Sequence, residues 1–453
     1  SSIPTELGTE KIGRLLKQYA LPAIIAQTAA SLYNMVDSIF IGQGVGPLAI
    51  SGLAVTFPLM NLSTAFGTLV GAGAATMLSV LLGQQHYKAA NKILGNVVSL
   101  NIIIGLIFMG GSLAYLDPIL YFFGASENTL PYAKEYITII LIGNVITHLY
   151  FGLNAAMRSS GNPKKAMALT IFTVVFNTIL DPIFIFVFDL GIAGAAWATV
   201  IAQVVATIVV LRHFSDRSRA FHFEKGLFKL DIRVAKDSLA IGLGPFLMNA
   251  AACLVTLFIN QQMRDYSGDL GIGAYGICNR LIFMFIMICM GLNQGMQPIA
   301  GYNYGAKQYS RVKEVFWMTA KFGTIVTLIC FAVGMFIPRI AAGIFTHDEA
   351  LLDMSAEGLR ILTIGFPVVG FQMIGTHFFQ SLGMVKKSII LSLSRQILFL
   401  LPLLYSLPFA WGADGVWASF PFSDVMSFLL AAWMLRGLFK KFNTLKDGEN
   451  PDI

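Results

Sequence analysis

Two aspartates, Asp37 and Asp181, stand in apolar stretches that contain no lysine or arginine. Asn177 precedes Asp181 by four residues, so the two side chains share one face of a helix, and Thr199 lies near the start of the next apolar stretch. Away from water, carboxyl groups are stable when they are protonated or when a small cation binds between oxygen ligands. The pattern therefore predicts a proton- or cation-binding site. The alternative is that each acid caps a broken helix or bonds a backbone group.

The elements that must position these acids are membrane helices. Of the 453 residues, 56% are hydrophobic and 12% are charged, whereas soluble domains carry about 25% charged residues. Apolar runs of about 20 residues recur along the chain, which is typical of transmembrane helices. The sequence predicts an all-α polytopic membrane protein with twelve spans: 17–42, 49–82, 93–116, 132–157, 166–188, 191–212, 236–263, 272–302, 315–338, 358–382, 388–410 and 413–435.

The basic residues predict the orientation of these spans. Most of the 31 lysines and arginines fall at the termini and in the even-numbered connections, and that side is cytoplasmic by the positive-inside rule. Both termini are then cytoplasmic in a bacterial or archaeal plasma (inner) membrane. This topology explains the net charge of +7, so we expect a lipid bilayer and no nucleic acid as partner. It also places Asp37, Asn177, Asp181 and Thr199 at one depth in the outer half of the membrane.

The two halves of the chain match each other at an offset of 222 residues. LGQQHYKAANK (82–92) aligns with YGAKQYSRVKE (304–314), and RSSGNPKK (158–165) aligns with QSLGMVKK (380–387). Six spans in each half give both halves the same orientation, so they should be related by a pseudo-twofold axis along the membrane normal, as in transporters with parallel repeats. The alternative is a duplication that only built a stable bundle. The predicted parts are an N-terminal lobe (1–212), a cytoplasmic connection (213–235) and a C-terminal lobe (236–453).

The sequence contains no Walker A motif and no constellation of a nucleophile with a base, which favours a gradient-driven transporter over an enzyme. Pro22 removes a backbone hydrogen bond from span 1 and predicts a bend there. Arg395 and Asp424, on adjacent spans, are interpreted as a structural ion pair, with a substrate role as the alternative. Arg280 has no evident partner.

Several stretches together resemble the multidrug and toxic compound extrusion (MATE) family along nearly the whole chain. They are Pro22 with YNMVDSIFIG (33–42), the glycine-rich span 2, RSSGNPKK, FNTILDPIFI (176–185) and GIAGAAWAT (191–199). The resemblance implies two six-helix lobes around a cleft that opens alternately to each side. It also implies export of lipophilic, mostly cationic drugs in exchange for H⁺ or Na⁺, without a cofactor, by a protein that we expect to be monomeric.

The resemblance also implies roles for individual residues. Asp37, Asn177, Asp181 and Thr199 would form the coupling site for H⁺, and the same four residues could hold Na⁺. Pro22 would be the hinge of the first helix, and Tyr136 and Asn154 would line the substrate cavity.

One departure from the family pattern bears on the coupling ion. The sodium-coupled branch is expected to carry a Glu in span 7 and an Asp in span 10, but the stretches 245–256 and 365–383 contain no acid. This favours protons and coupling through the first lobe. A flippase for a lipid-linked sugar or peptidoglycan precursor is the alternative transporter, and it would need more basic residues than Arg280 and Arg395 to hold a pyrophosphate. A membrane-embedded enzyme or scaffold is the third reading, for which the six histidines are too dispersed.

Overall fold

The computed structural model describes residues 3–219, 221–223, 230–345 and 347–450, and within these ranges the regular structure is helical, with no strand. Part of the connection 213–235, namely residues 220 and 224–229, lies outside the described residues. The helices of the first half are α1 (Ile12–Gly44), α2 (Pro47–Gly83), α3 (Tyr87–Ala114), α4 (Leu116–Phe122), α5 (Leu130–Ile142), α6 (Asn144–Ser159), α7 (Pro163–Pro182) and α8 (Ile192–Ser215). Those of the second half are α9 (Ile232–Gly305), α10 (Tyr309–Phe336), α11 (Pro338–Ala342), α12 (Glu349–Leu362), α13 (Phe366–Ser381), α14 (Val385–Leu393), α15 (Leu401–Trp411) and α16 (Ala413–Thr444).

The helices agree with the predicted membrane topology. Eleven helical segments in the described part of the chain are long and apolar enough to cross a membrane, and the bent pair α5 and α6 supplies a twelfth span. The prediction of an all-α polytopic protein with twelve spans is thus confirmed. The breaks differ in places, because α9 continues from span 7 into span 8 with a single non-helical residue, Gly268.

Two spans are broken at equivalent positions of the repeat. The axes of α5 and α6 meet at 54° around Gly143, and a 3₁₀ turn at Thr363–Gly365 separates α12 from α13. A side chain on Gly143 would place its Cβ 2.8 Å from Val200 in α8, and one on Gly365 would place its Cβ 2.9 Å from Asp424 in α16. In both halves, the glycine at the break therefore lets the sixth span of that half pack closely.

The turn between the second and third span of each half confirms the same offset. Gln85 and Lys307 are 222 residues apart, and both adopt the left-handed backbone conformation, with φ of 65° and 60°. The turn after the fourth span repeats it, because Gly161 and Gly383 have φ of 100° and 78°. The two halves of the sequence thus encode the same local structure.

Packing divides the chain into two compact units. Unit 1 comprises Ile25–Asn249 with the residues up to Leu7, and unit 2 comprises Gly8–Ile24 and Ala250–Ile453. These units differ from the predicted lobes, since the first part of α1 belongs to unit 2 and the first part of α9 to unit 1. Close backbone packing accounts for both exchanges.

Glycines provide that packing. In unit 1, a Cβ on Gly73 of α2 would lie 1.9 Å from the carbonyl oxygen of Ser238, and a Cβ on Gly242 would lie 1.9 Å from that of Leu69. In unit 2, a Cβ on Gly295 would lie 2.3 Å from the Cα of Ala20. Gly73 and Gly295 are 222 residues apart, as are Ala20 and Gly242. The two contacts are therefore related by the internal repeat, and small residues allow the backbones to touch.

The residues after α16 pack against the start of α10 within unit 2. The Asp447 carboxylate accepts hydrogen bonds from Ser310 Oγ (2.7 Å) and from the Ser310 backbone N–H (3.2 Å). Tyr309 OH donates to the carbonyl oxygen of Glu449 at 2.6 Å. These bonds hold the tail on the turn that precedes α10.

Candidate functional site

A buried polar cluster lies in unit 1, where α1, α7 and α8 meet. Asp37 comes from α1, Asn177 and Asp181 from the last two turns of α7, and Thr199 from the second turn of α8. Their neighbours on α7 and α8 are largely apolar, so each side chain is polar in an otherwise apolar surrounding. Asp181 is fully buried, and Asp37 and Asn177 are 6% and 4% exposed. The structure thus brings together the four residues that were predicted to form the coupling site.

Thr199 links the neutral members of the cluster. Asn177 Nδ2 donates to Thr199 Oγ1 at 3.2 Å, and Thr199 Oγ1 in turn donates to the carbonyl oxygen of Ala195 at 3.1 Å. Tyr33 OH is also 3.2 Å from Thr199 Oγ1. The hydroxyl of Thr199 therefore fixes the orientation of the Asn177 amide and ties α1 to α8.

The two carboxyl groups interact with each other and with Tyr33. Even so, neither oxygen of Asp181 has a hydrogen bond of good geometry, and Asp37 Oδ1 and Asn177 Oδ1 are also buried without one. No lysine or arginine is among the described residues that interact with the pair. Four oxygens in one cluster are thus left without a donor.

Such a set of oxygens fits a proton or one small cation. Buried polar atoms are nearly always paired, so this concentration of unpaired oxygens calls for an explanation. A proton on one carboxyl group would give a donor to a neighbouring oxygen, and a cation such as Na⁺ would accept several oxygens as ligands. No group of three or more His, Cys, Asp and Glu side chains suited to a metal occurs in the part of the chain that the structure describes.

Tyr33 was missed by the sequence reasoning. It precedes Asp37 by four residues, so it lies on the same face of α1 one turn earlier, and this spacing was the signal that could have identified it. Tyr33 contacts Thr199 and also lies near both acids. Because it is a hydroxyl donor next to two carboxyl groups, Tyr33 belongs to the candidate site.

Of the two residues predicted to line the substrate cavity, only Tyr136 lies near the acids. Tyr136 in α5 is 2% exposed and close enough to Asp37 and Asp181 to feel their charges. Asn154 in α6 instead donates from Nδ2 to the carbonyl oxygen of Ala166 at 3.2 Å. Its amide therefore satisfies the backbone at the start of α7.

The remaining predicted residues lie elsewhere in the fold. Pro22 is inside α1, two residues before the point where that helix passes from unit 2 to unit 1. In unit 2, Arg395 Nε donates to Asp424 Oδ1 at 2.7 Å, which confirms the predicted ion pair. Arg280 is exposed.

Comparison with known proteins identifies the family. The MatE family model matches residues 22–183 and 243–406. The multidrug export protein MepA of Staphylococcus aureus (strain NCTC 8325 / PS 47) is 27% identical over 403 residues, which is 89% of each chain. The MepA of Staphylococcus haemolyticus (strain JCSC1435) is 26% identical over 427 residues, or 94% of each chain.

Solved structures agree. The MATE multidrug transporter DinF-BH is 36% identical, with a TM-score of 0.89 over 97% of this chain and 98% of that one. An outward-facing multidrug resistance MATE family transporter of the MOP superfamily shares the fold, with a TM-score of 0.91 at 21% identity over 98% of this chain and 100% of that one. Since the family model covers most of the sequence, and the fold and the internal repeat agree with it, the chain belongs to the MATE family of membrane transporters, as the sequence motifs predicted.

Proposed function

We propose that this protein is a secondary active multidrug efflux antiporter that exports lipophilic, mostly cationic compounds in exchange for protons. The observation that carries the proposal is the pair of buried acids, Asp37 and Asp181, with four oxygens of their cluster unsatisfied and no basic residue beside them. The family relationship and the printed names of MepA and DinF-BH support drug export. The transporter needs no cofactor, and the imposed ion gradient drives it.

The proton acts on the packing of α1 around the site. Two neighbouring carboxylates kept from water repel each other, and a proton taken up from outside removes that repulsion. The protonated carboxyl group then donates to a free oxygen, such as Asn177 Oδ1, and α1 moves against α7 and α8. The drug loses affinity and leaves outward, and release of the proton to the inside restores the acidic site.

Pro22 is the proposed hinge for the movement of α1. A proline inside a helix removes one backbone hydrogen bond and weakens the helix locally. The boundary between the two packing units falls between Ile24 and Ile25, within one turn of this proline. A bend at Pro22 would therefore let residues after Ile25 follow unit 1 while the preceding residues stay with unit 2.

We also propose the orientation and the coupling ion. The excess of lysine and arginine on the side of the termini places both termini in the cytoplasm, in a bacterial plasma membrane. The protein acts as a monomer. Protons are favoured over Na⁺ because the site holds only two carboxyl groups and because 245–256 and 365–383 lack acids.

The test uses proteoliposomes that contain purified protein and a fluorescent cation, with a pH gradient or a Na⁺ gradient imposed separately. We expect a pH gradient to drive rhodamine 6G efflux in the wild type and Asp37→Asn to abolish it. Asp117→Asn is the matched control, because Asp117 is an exposed acid that pairs with Lys134 at 3.2 Å outside the site. Normal efflux by Asp37→Asn would refute the assignment of the site. Efflux driven by a Na⁺ gradient alone would refute proton coupling.

A further inference from the structure

The ion pair of Arg395 and Asp424 leaves half of the arginine unused. Only Nε of the guanidinium is bonded, to Asp424 Oδ1 at 2.7 Å. The Asp424 side chain is 1% exposed, whereas the Arg395 side chain is 27% exposed. Within the described residues, no hydrogen bond or second acid engages Nη1 or Nη2 of Arg395. The pair therefore presents a guanidinium edge with free donors beside a buried carboxylate that holds it in place.

The exposed edge does not face the apolar side of its helix. At about 100° per residue, Arg395 lies on the opposite side from Ile390 and Ile397, which are 46% and 37% exposed. On its own side, one and two turns earlier, Ser392 and Ser388 are buried. A charged side chain in a membrane span normally faces the interior of the bundle or a watery cavity. The partial exposure of Arg395 thus marks an opening on the inner face of unit 2.

The backbone is irregular at the same place. A π-helical segment, Ser394–Leu400, joins α14 to α15, and Ser423 Oγ donates to the carbonyl oxygen of Arg395 at 2.6 Å. Turns of this kind inside α-helices occur frequently at functional sites. Here the extra residue in the turn changes which side chains face the lobe interior, and the bond from α16 fixes Arg395 in that position.

Aromatic rings of unit 2 lie close to the arginine. Arg395 is near enough to Tyr275 for their charges to interact, and the Tyr275 ring stacks on Phe420 with the centroids 5.6 Å apart and the planes at 24°. Trp417 extends the group, at 6.5 Å from Tyr275. A flat ring system could pack on this aromatic surface while a substituent reaches the guanidinium.

We propose that unit 2 holds a second ligand site, in which the free Nη edge of Arg395 binds the carboxylate of an aromatic amphiphile. The planar guanidinium offers two parallel N–H groups, a geometry that matches the two oxygens of a carboxylate. Asp424 orients Arg395 and neutralises part of its charge, and Tyr275 and Phe420 receive the aromatic part. The inference rests on the proposed function as a drug exporter and extends its substrates from cations to zwitterions that carry a carboxylate.

A pair of dyes tests this site without any transport. Rhodamine 19 carries a free carboxylate, and rhodamine 6G is its ethyl ester, so the two differ only in the group that Arg395 would bind. Binding is measured by fluorescence polarisation in detergent at neutral pH, with no gradient. We expect the wild type to bind rhodamine 19 about tenfold more tightly than rhodamine 6G, since a hydrogen-bonded charge pair is worth about 1.5–3 kcal/mol.

Variants separate recognition from structure. Arg395→Gln combined with Asp424→Asn removes both charges without leaving one of them buried alone, and we expect the preference for rhodamine 19 to fall about tenfold. Arg395→Lys keeps the charge and the ion pair but loses the planar edge, and it should reduce the same preference. Arg280→Gln, an exposed arginine of the same unit, is the control that should leave the preference unchanged.

Three results would overturn the proposal: equal affinity of the wild type for the two dyes, an unchanged preference in both Arg395 variants, or an equal loss in Arg280→Gln. The readout is independent of ion coupling. A protein that binds both dyes as expected but fails to export them under a pH gradient would refute the proposed function and leave this site standing.

Discussion

Replacing Gly242 with alanine tests the backbone contact between α2 and α9 most directly. A Cβ at this position would lie 1.9 Å from the carbonyl oxygen of Leu69 and 2.8 Å from its carbonyl carbon. Carbon and oxygen atoms in close helix contacts stay about 3.3–3.6 Å apart, so the two helices would have to separate by more than about 1 Å. Because the obstructing atoms belong to the backbone, no side-chain rotation relieves the clash.

The expected cost is at the upper end of the range for overpacked cores, about 3 kcal/mol. The free energy of unfolding is measured by titration of the detergent-solubilised protein with SDS, followed by tryptophan fluorescence. Gly110→Ala is the matched control, because a Cβ on Gly110 of α3 meets nothing within 4 Å. That control should be as stable as the wild type or slightly more so, since alanine favours a helix over glycine by roughly 0.5–1 kcal/mol. If Gly242→Ala and Gly110→Ala unfold alike, the reasoning about this contact is wrong.

Three further predictions concern other contacts. Thr199→Val should cost about 1–3 kcal/mol of unfolding free energy, because its neighbours lose a partner in a buried site, and Thr199→Ser should restore it; equal stability of Val and Ser variants would contradict this. Arg395→Met should destabilise by about 3–5 kcal/mol because it leaves Asp424 buried without its partner, and adding Asp424→Leu should recover most of the loss in the same titration. Hydrogen bonds from Ser310 hold the pKa of Asp447 below its usual value of 3.8, so docking of the tail is complete above that pH and is lost as the pH falls through the lowered pKa. At neutral pH, Ser310→Ala should therefore speed tryptic cleavage after Lys446, and unchanged cleavage would speak against the docked tail.

The features that follow from hydropathy and repetition could be predicted from the sequence. Twelve spans emerge from apolar runs because the bilayer requires a fixed length of helix. Depth along the spans brought Asp37 and Asp181 together correctly, since residues at one level of neighbouring helices can meet. The ion pair of Arg395 and Asp424 followed from the same reasoning, because a charge in a span needs a partner.

Features that depend on which faces of the helices meet could not be predicted in this way. The break at Gly143 exists because Val200 packs against it, and the sequence around it contains no proline. Asn154 has a suitable residue type, yet its amide turns to the backbone of Ala166. Tyr33 joins the acids through the rotation of α1, which hydropathy does not specify. Rotation about the helix axis is set by packing over the whole unit.

The exchange of segments between the two units constrains the order in which the protein can be assembled during synthesis. When the ribosome has made the first six spans, α2 still lacks its backbone contact at Gly73, because Ser238 and Gly242 have not yet been translated. The first part of α1, although made at the outset, waits for Gly295 in the second half. Insertion of the early spans into the bilayer therefore precedes completion of unit 1, and a product that stops after residue 212 would expose an unfilled groove along α2.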